Sequence, residues 1–177
     1  MALKPTIYKV DLQIVDLNRD LYPSVKLTLA LHPSELPERM MVRLLAYALN
    51  YHEDLEFCKG LSAADEADLW QRAPTQEIKE WIEVGQVSPD RLRKAVSRAA
   101  AIKLYAYGSE TDVWWQRFSE EFGRLAKVEV YRFQYSDVKP LVEWVDRSIS
   151  VSVTISGDDL MLNSGEKNHS LAVSRLG

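Results

Sequence analysis

Strand-like and helix-like hydrophobic periods follow one another along this chain in the order β-β-α-β-β-β-α-β-α-β-α-β-β. That order describes an α/β protein with a central mixed sheet flanked by helices. Strands are read at residues 6–16, 24–31, 55–61, 67–73, 78–87, 102–107, 128–133 and 148–156, and the short segments 160–162 and 170–174 are the candidates to pair with the last of these. β-Branched residues fill the first strand, and Val25, Leu27, Leu29 and Leu31 alternate cleanly along the second. The turn Asn18-Arg19-Asp20 between them predicts an antiparallel hairpin.

Four helices are expected. The first has Ser34 as N-cap, Glu35, Pro37 and Glu38 in its first turn, and an apolar stripe of Met41, Leu44, Leu45, Ala48 and Leu49 running to about Tyr51. The second has Ser88 as its cap and Pro89 as its first residue, and runs to about Ala101. The third covers residues 111–125 and carries Trp114, Trp115, Phe118 and Phe122; a short fourth covers 137–145. Neighbours on a helix point about 100° apart, so only one of Trp114 and Trp115 belongs to the core.

At 177 residues and 46% hydrophobic content the chain suits one compact domain spanning residues 1–177. Its single cysteine, Cys58, excludes an internal disulfide, reads as a small buried apolar residue, and fits a reducing, cytoplasmic setting. The start Met1-Ala2-Leu3-Lys4-Pro5-Thr6 has no basic segment leading into an apolar run, and no apolar run is long enough to span a bilayer. Neither a leader nor a membrane partner is expected, and a monomer is the simplest state. A net charge of −4 argues against a protein that coats nucleic acid, while leaving room for one that holds it in a local basic groove. His32, His52 and His169 lack metal-ligand spacing, and no Gly-x-Ser-x-Gly element is present. Gly157-Asp158-Asp159 is a hairpin turn, not a cation loop.

The chemistry concentrates in three acids. Glu83 lies between Ile82 and Val84 in an apolar strand, where a bare carboxylate is costly. Asp68 lies in the preceding strand-like segment and shares a face with Trp70, so pairing of the two strands sets the acids side by side. Glu38 stands over the inward stripe of the first helix, with Met41, Val42, Leu45 and Leu49 at helical spacing beyond it. Converging acids repel unless a divalent cation joins them. Two of the acids also have a plainer explanation: helix-dipole electrostatics for Glu38, and a solvated strand-edge acid for Asp68. Arg91, Lys94 and Arg98 share one face of the second helix, either as a solvated face or as a phosphate-contacting edge.

His32-Pro33-Ser34-Glu35, Glu38-Arg39-Met40-Met41, Arg43-Leu44-Leu45-Ala46, Phe57, Gly60-Leu61, Asp68, Trp70, Trp81-Ile82-Glu83-Val84-Gly85 and Arg93-Lys94-Ala95 together resemble the YaeQ family of bacterial proteins over essentially the whole chain. That family is similar to a variant of the PD-(D/E)XK nuclease superfamily. The resemblance implies a restriction-endonuclease-like core with extra N- and C-terminal strands. It implies Mg²⁺ or Mn²⁺ held by Asp68, Glu83 and the carbonyl of Val84, with Glu38 as the helix acid. The superfamily's lysine two positions after the second strand acid is replaced by Gly85, so Lys94 is the candidate to stabilise developing negative charge. Ala67 stands where the superfamily has proline. Arg91 and Arg98 are the candidate phosphate contacts. The expectation is metal-dependent hydrolysis of nucleic-acid phosphodiesters. The competing one is a non-catalytic nuclease-like fold binding nucleic acid or a protein partner, with transcription as one setting.

Overall fold

The computed structural model describes residues 4–59, 63 and 65–177. Met1 to Leu3, and Gly60 and Leu61 at the end of the third expected strand, lie outside the described residues. Ten strands form one mixed sheet: β1 (Thr6–Asp16), β2 (Ser24–Leu31), β3 (Leu55–Phe57), β4 (Leu69–Arg72), β5 (Ile78–Val84), β6 (Ala99–Ala106), β7 (Val128–Phe133), β8 (Ser148–Ser156), β9 (Asp159–Ser164) and β10 (Lys167–Arg175). Their order is β2-β1-β8-β9-β10-β7-β6-β5-β4-β3. The helices are α1 (Pro37–Leu49), α2 (Pro89–Val96), α3 (Thr111–Gly123) and a short α4 (Tyr135–Val138), which continues as a 3-10 turn over Lys139–Trp144.

The expected hairpin is present: β1 and β2 pair antiparallel, with Val10 opposite Leu27. β1 also pairs in parallel with β8, which joins the two ends of the chain into one sheet. At the other side β5, β6 and β7 run parallel, with α2 and α3 as their crossovers. β4 joins β5 antiparallel.

The sheet curls around α1 and is nearly closed. α1 touches β2 at one end of the strand order and β5 near the other. Every residue from Met40 to Ala48 is buried. The sequence predicts an amphipathic helix with one wet face; the structure instead encloses α1 on all sides, as a buried helix requires. The larger core lies inside this curl, joining Leu12, Leu44, Leu45, Ile82, Phe133 and Val153. A second core lies on the outer face of the parallel strands, where Trp81, Ile102 and Leu104 meet Leu92, Trp114 and Phe122. Trp114 is buried and Trp115 half-buried, in keeping with one core tryptophan of the pair.

Three local expectations are corrected. Ser34 does not cap α1: Pro37 takes the first helical position and holds Leu36 extended (φ −79°, ψ 147°), so the helix begins beyond Ser34's reach. Ser34 Oγ pairs instead with His32 Nδ1 at 2.7 Å. α2 is capped by Ser88 as expected but ends at Val96, and Ala99 to Ala101 belong to β6, with Ala99 opposite Ile78. The fifth strand stops at Val84 rather than residue 87, because Gly85 turns the backbone to φ +105°.

Candidate functional site

The parallel strands β5 and β6 end at Val84 and Ala106, and the chain turns away from the sheet after each. Clefts at the carboxyl ends of parallel strands are the usual ligand positions in α/β sheets. Here that position is a cleft of about 790 Å³ lined by Glu38, Arg39, Glu83, Gly85, Arg91 and Tyr107, among others. Gln86 ties its two walls together, since its Oε1 accepts from the N–H groups of Tyr107 and Gly108 at 3.1 Å each. A Cβ on Gly108 would stand 2.0 Å from Gln86 Nε2, so this close approach needs glycine.

Glu83 is 2% exposed and Asp68 1% exposed. Asp68 stands just before β4, where its N–H donates to the Ile82 carbonyl at 3.1 Å and its Oδ2 accepts the Val84 N–H at 2.8 Å. The β4–β5 ladder pairs Leu69 with Ile82 and so brings Asp68 beside Glu83. Glu83 Oε1 accepts from Trp81 Nε1 at 2.9 Å and from Arg91 Nε at 3.0 Å. Burial, together with the nearby Asp68 charge, pushes the Glu83 carboxyl up to about 7, against the opposing pull of Arg91 and Trp81. Burial likewise lifts the Tyr107 hydroxyl to about 12, so it faces the cleft as a neutral donor.

Glu38 is half-buried at the cleft wall. The fully buried acid at the head of α1 is Glu35, 7% exposed, which the sequence offered only as a first-turn charge. Arg43 Nη2 and Nε lie 2.6 and 2.9 Å from its two oxygens, and Arg39 Nη1 is 2.6 Å from Oε2. Arg39 Nη2 then reaches across to Asp68, 2.8 Å from each oxygen, and to the Val84 carbonyl at 3.1 Å. Burial works against the charge of Arg39, but Asp68 and Glu35 more than offset it and hold the guanidinium above its ordinary range. Arg39 and Arg43 are thus the site residues that sequence reasoning missed. Glu35, Arg39 and Arg43 recur every fourth residue, a spacing that resembles a solvated ion-pair ladder.

Of the basic edge, Arg91 lines the cleft and also donates to the Glu66 carbonyl at 2.6 Å. Arg98 lies 5.2 Å over the Trp81 ring and donates to the Asp65 carbonyl. Lys94 is exposed on α2 and does not line the cleft. The expected lysine position, Gly85, has a left-handed backbone, and a Cβ there would stand 4.0 Å from Arg39 Nε.

A divalent ion fits these donors poorly as they stand. Both Asp68 oxygens and the Val84 carbonyl are engaged by Arg39, and Glu83 by Trp81 and Arg91. Among the described residues no three His, Cys, Asp or Glu side chains form a group that could hold an ion. No helix among the described residues is long and apolar enough to cross a membrane.

The family model described as "YaeQ protein" matches residues 1–173. The uncharacterized YaeQ protein of Salmonella typhi is 38% identical over 169 residues, 95% of this chain and 93% of that protein. Its counterpart in Escherichia coli is 37% identical over 170 residues, 96% and 93% of the two chains. The crystal structure of the YaeQ protein from Pseudomonas syringae superposes with a TM-score of 0.93 at 38% identity, covering 98% of this chain and 96% of that one. The structure of the YaeQ protein from Xanthomonas axonopodis pv. citri gives 0.92 at 35% identity, covering 97% of each chain. The chain belongs to the YaeQ family.

Proposed function

We propose that this YaeQ-family chain is a nuclease-like protein of PD-(D/E)XK type that binds a nucleic-acid backbone at the cleft and does not hydrolyse it. One observation carries the proposal: no lysine is among the described residues that line the cleft with Glu83, and Gly85 holds φ +105° where that lysine would stand. Acids without an amine to stabilise developing charge make a weak hydrolytic centre. The α2 edge supplies what backbone binding needs, with Arg91 at the cleft, Lys94 exposed and Arg98 stacked on Trp81.

The second reading is Mg²⁺- or Mn²⁺-dependent phosphodiester hydrolysis. One observation favours it: Glu83 is pushed up to about 7 beside Asp68, a strain that a shared cation would relieve. In that reading Asp68, Glu83 and the Val84 carbonyl would hold the ion, Glu38 would complete the acidic set, and Arg91 and Arg98 would contact flanking phosphates, while Lys94, exposed on α2, would not reach the ion.

Fluorescence anisotropy with single-stranded and duplex DNA and RNA tests both. Affinity is expected to fall steeply between about 50 and about 200 mM salt, and the Lys94→Ala/Arg98→Ala variant to lower the salt slope by about 2. Absence of binding at low salt across all four probes defeats the nucleic-acid proposal. Cleavage in Mg²⁺ or Mn²⁺ that disappears with Glu83→Ala replaces it with the hydrolytic one.

A further inference from the structure

One nitrogen at the head of α1 sits where oxygen ligands converge. Arg39 Nη2 is 2.8 Å from each oxygen of Asp68 and 3.1 Å from the carbonyl oxygen of Val84. These oxygens come from two segments of the sheet that share no covalent neighbour, and they surround a single positive centre. Mg²⁺ and similar ions take such oxygens at about 2.0–2.1 Å, so shifts of about 0.7–1.1 Å separate these three oxygens from ligand distance.

We propose that Arg39 holds the place of a divalent cation between Asp68 and the Val84 carbonyl, next to Glu83, so that the native chain excludes Mg²⁺ and Mn²⁺ there and loss of the guanidinium opens a cation site. The inference stands whether or not nucleic acid binds.

Charge balance supports it. Glu35, Asp68 and Glu83 are buried, and each contacts at least one guanidinium, from Arg39, Arg43 or Arg91. Even with all three acids ionised, three negative charges meet three positive ones. A divalent ion added to this largely buried set would leave at least two uncompensated positive charges, which is strongly unfavourable. Removing Arg39 reverses the sign. Asp68 is then left with the Val84 N–H, Glu83 remains beside it, and the excess charge of the cluster is negative.

Space supports it as well. Arg39 lines both the cleft and a second cavity of about 680 Å³ between the outer edges of β2 and β3, so its side chain is the wall between them. A Cβ at position 85 would point to within 4.0 Å of Arg39 Nε. That is ordinary contact distance, so what favours glycine at position 85 is its backbone at φ +105°.

The test uses the full chain without nucleic acid. Binding of Mn²⁺ is read from loss of the free-ion electron paramagnetic resonance signal, alongside thermal unfolding with and without the ion. Wild-type protein is expected to leave millimolar Mn²⁺ free and to show an unchanged midpoint. Arg39→Met, of similar volume but uncharged, is expected to bind Mn²⁺ at least about tenfold more tightly and to gain thermal stability from it. Adding Glu83→Gln to that variant should abolish both effects. Wild-type binding that Glu83→Gln removes would overturn the proposal, as would a folded Arg39→Met protein that ignores Mn²⁺. If Arg39→Met and Arg39→Gln both fail to fold alone, refolding in millimolar Mn²⁺ decides: recovery of the native circular dichroism spectrum supports the proposal, and its absence overturns it.

Discussion

Replacing Glu83 by glutamine should change how stability depends on pH. The carboxyl is 2% exposed and titrates near 7 in the folded chain, against an ordinary value of 4.5. Below about 4.5 folded and unfolded chains both carry the proton, and the native state keeps its full advantage. Between about 4.5 and about 7 the unfolded chain has released the proton and the folded chain retains it. Stability therefore declines as pH rises through this window, and above about 7 the loss is complete. At about 1.4 kcal/mol per pH unit, the interval from 4.5 to about 7 amounts to about 3 kcal/mol. Glutamine keeps the shape and an acceptor for Trp81 and Arg91 but has nothing to titrate. Urea unfolding at half-unit steps from pH 5 to pH 8, with chelator present, reads the difference between wild type and Glu83→Gln. The variant should gain on wild type by on the order of 3 kcal/mol across that range. Parallel curves would show that Glu83 ionises normally in the folded chain, and the burial and Asp68 reasoning would fail with it.

Three further substitutions have expected outcomes. Asp68→Asn leaves Arg39 buried opposite a neutral amide and should cost about 3–5 kcal/mol in urea unfolding; a cost below about 1 kcal/mol would mean that the pair contributes no more than a surface one. Gly85→Ala should cost about 1–3 kcal/mol because the backbone there holds φ +105°, and Gly85→Lys should cost at least as much without producing Mg²⁺-dependent cleavage of DNA or RNA.

Much of the scaffold was legible from local periodicity. β1, β2, β7 and β8 begin and end where alternation and turn residues place them, and Ser88 with Pro89 opens α2. Ala99 to Ala101 were not legible as strand, because alanine carries neither period; only the register opposite Ile78 and its neighbours decides their state. The site divides in the same way. A carboxylate between Ile82 and Val84 announces itself, and Glu83 is buried as that context requires. Arg39 and Arg43 give the opposite signal, since charges every fourth residue imply water on that face. Arg43 is buried and Arg39 mostly so because a distant part of the sheet closes over α1, and no local window contains that information. Lys94 shares a helical face with Arg91 by spacing, yet α2 is only eight residues long and turns Leu92 and Ala95 inward, leaving Lys94 exposed.

The parallel seam between β1 and β8 has a consequence for how this chain comes off the ribosome. Lys9 cannot meet its register partner Ser148 until the residues between them have been made. Until then the β1–β2 hairpin has nothing to join beyond itself, and the apolar surface of α1 is covered only by the strands already formed around it. Contacts so distant in sequence also carry a high loop-closure cost, so ordering of the N-terminal third must wait for the C-terminal strands. A nascent chain halted before residue 148 would be a hydrophobic helix in an open sheet, a form suited to chaperone capture and prone to aggregation. The later strand β8 is thus the one that covers the edge of the earlier strand β1.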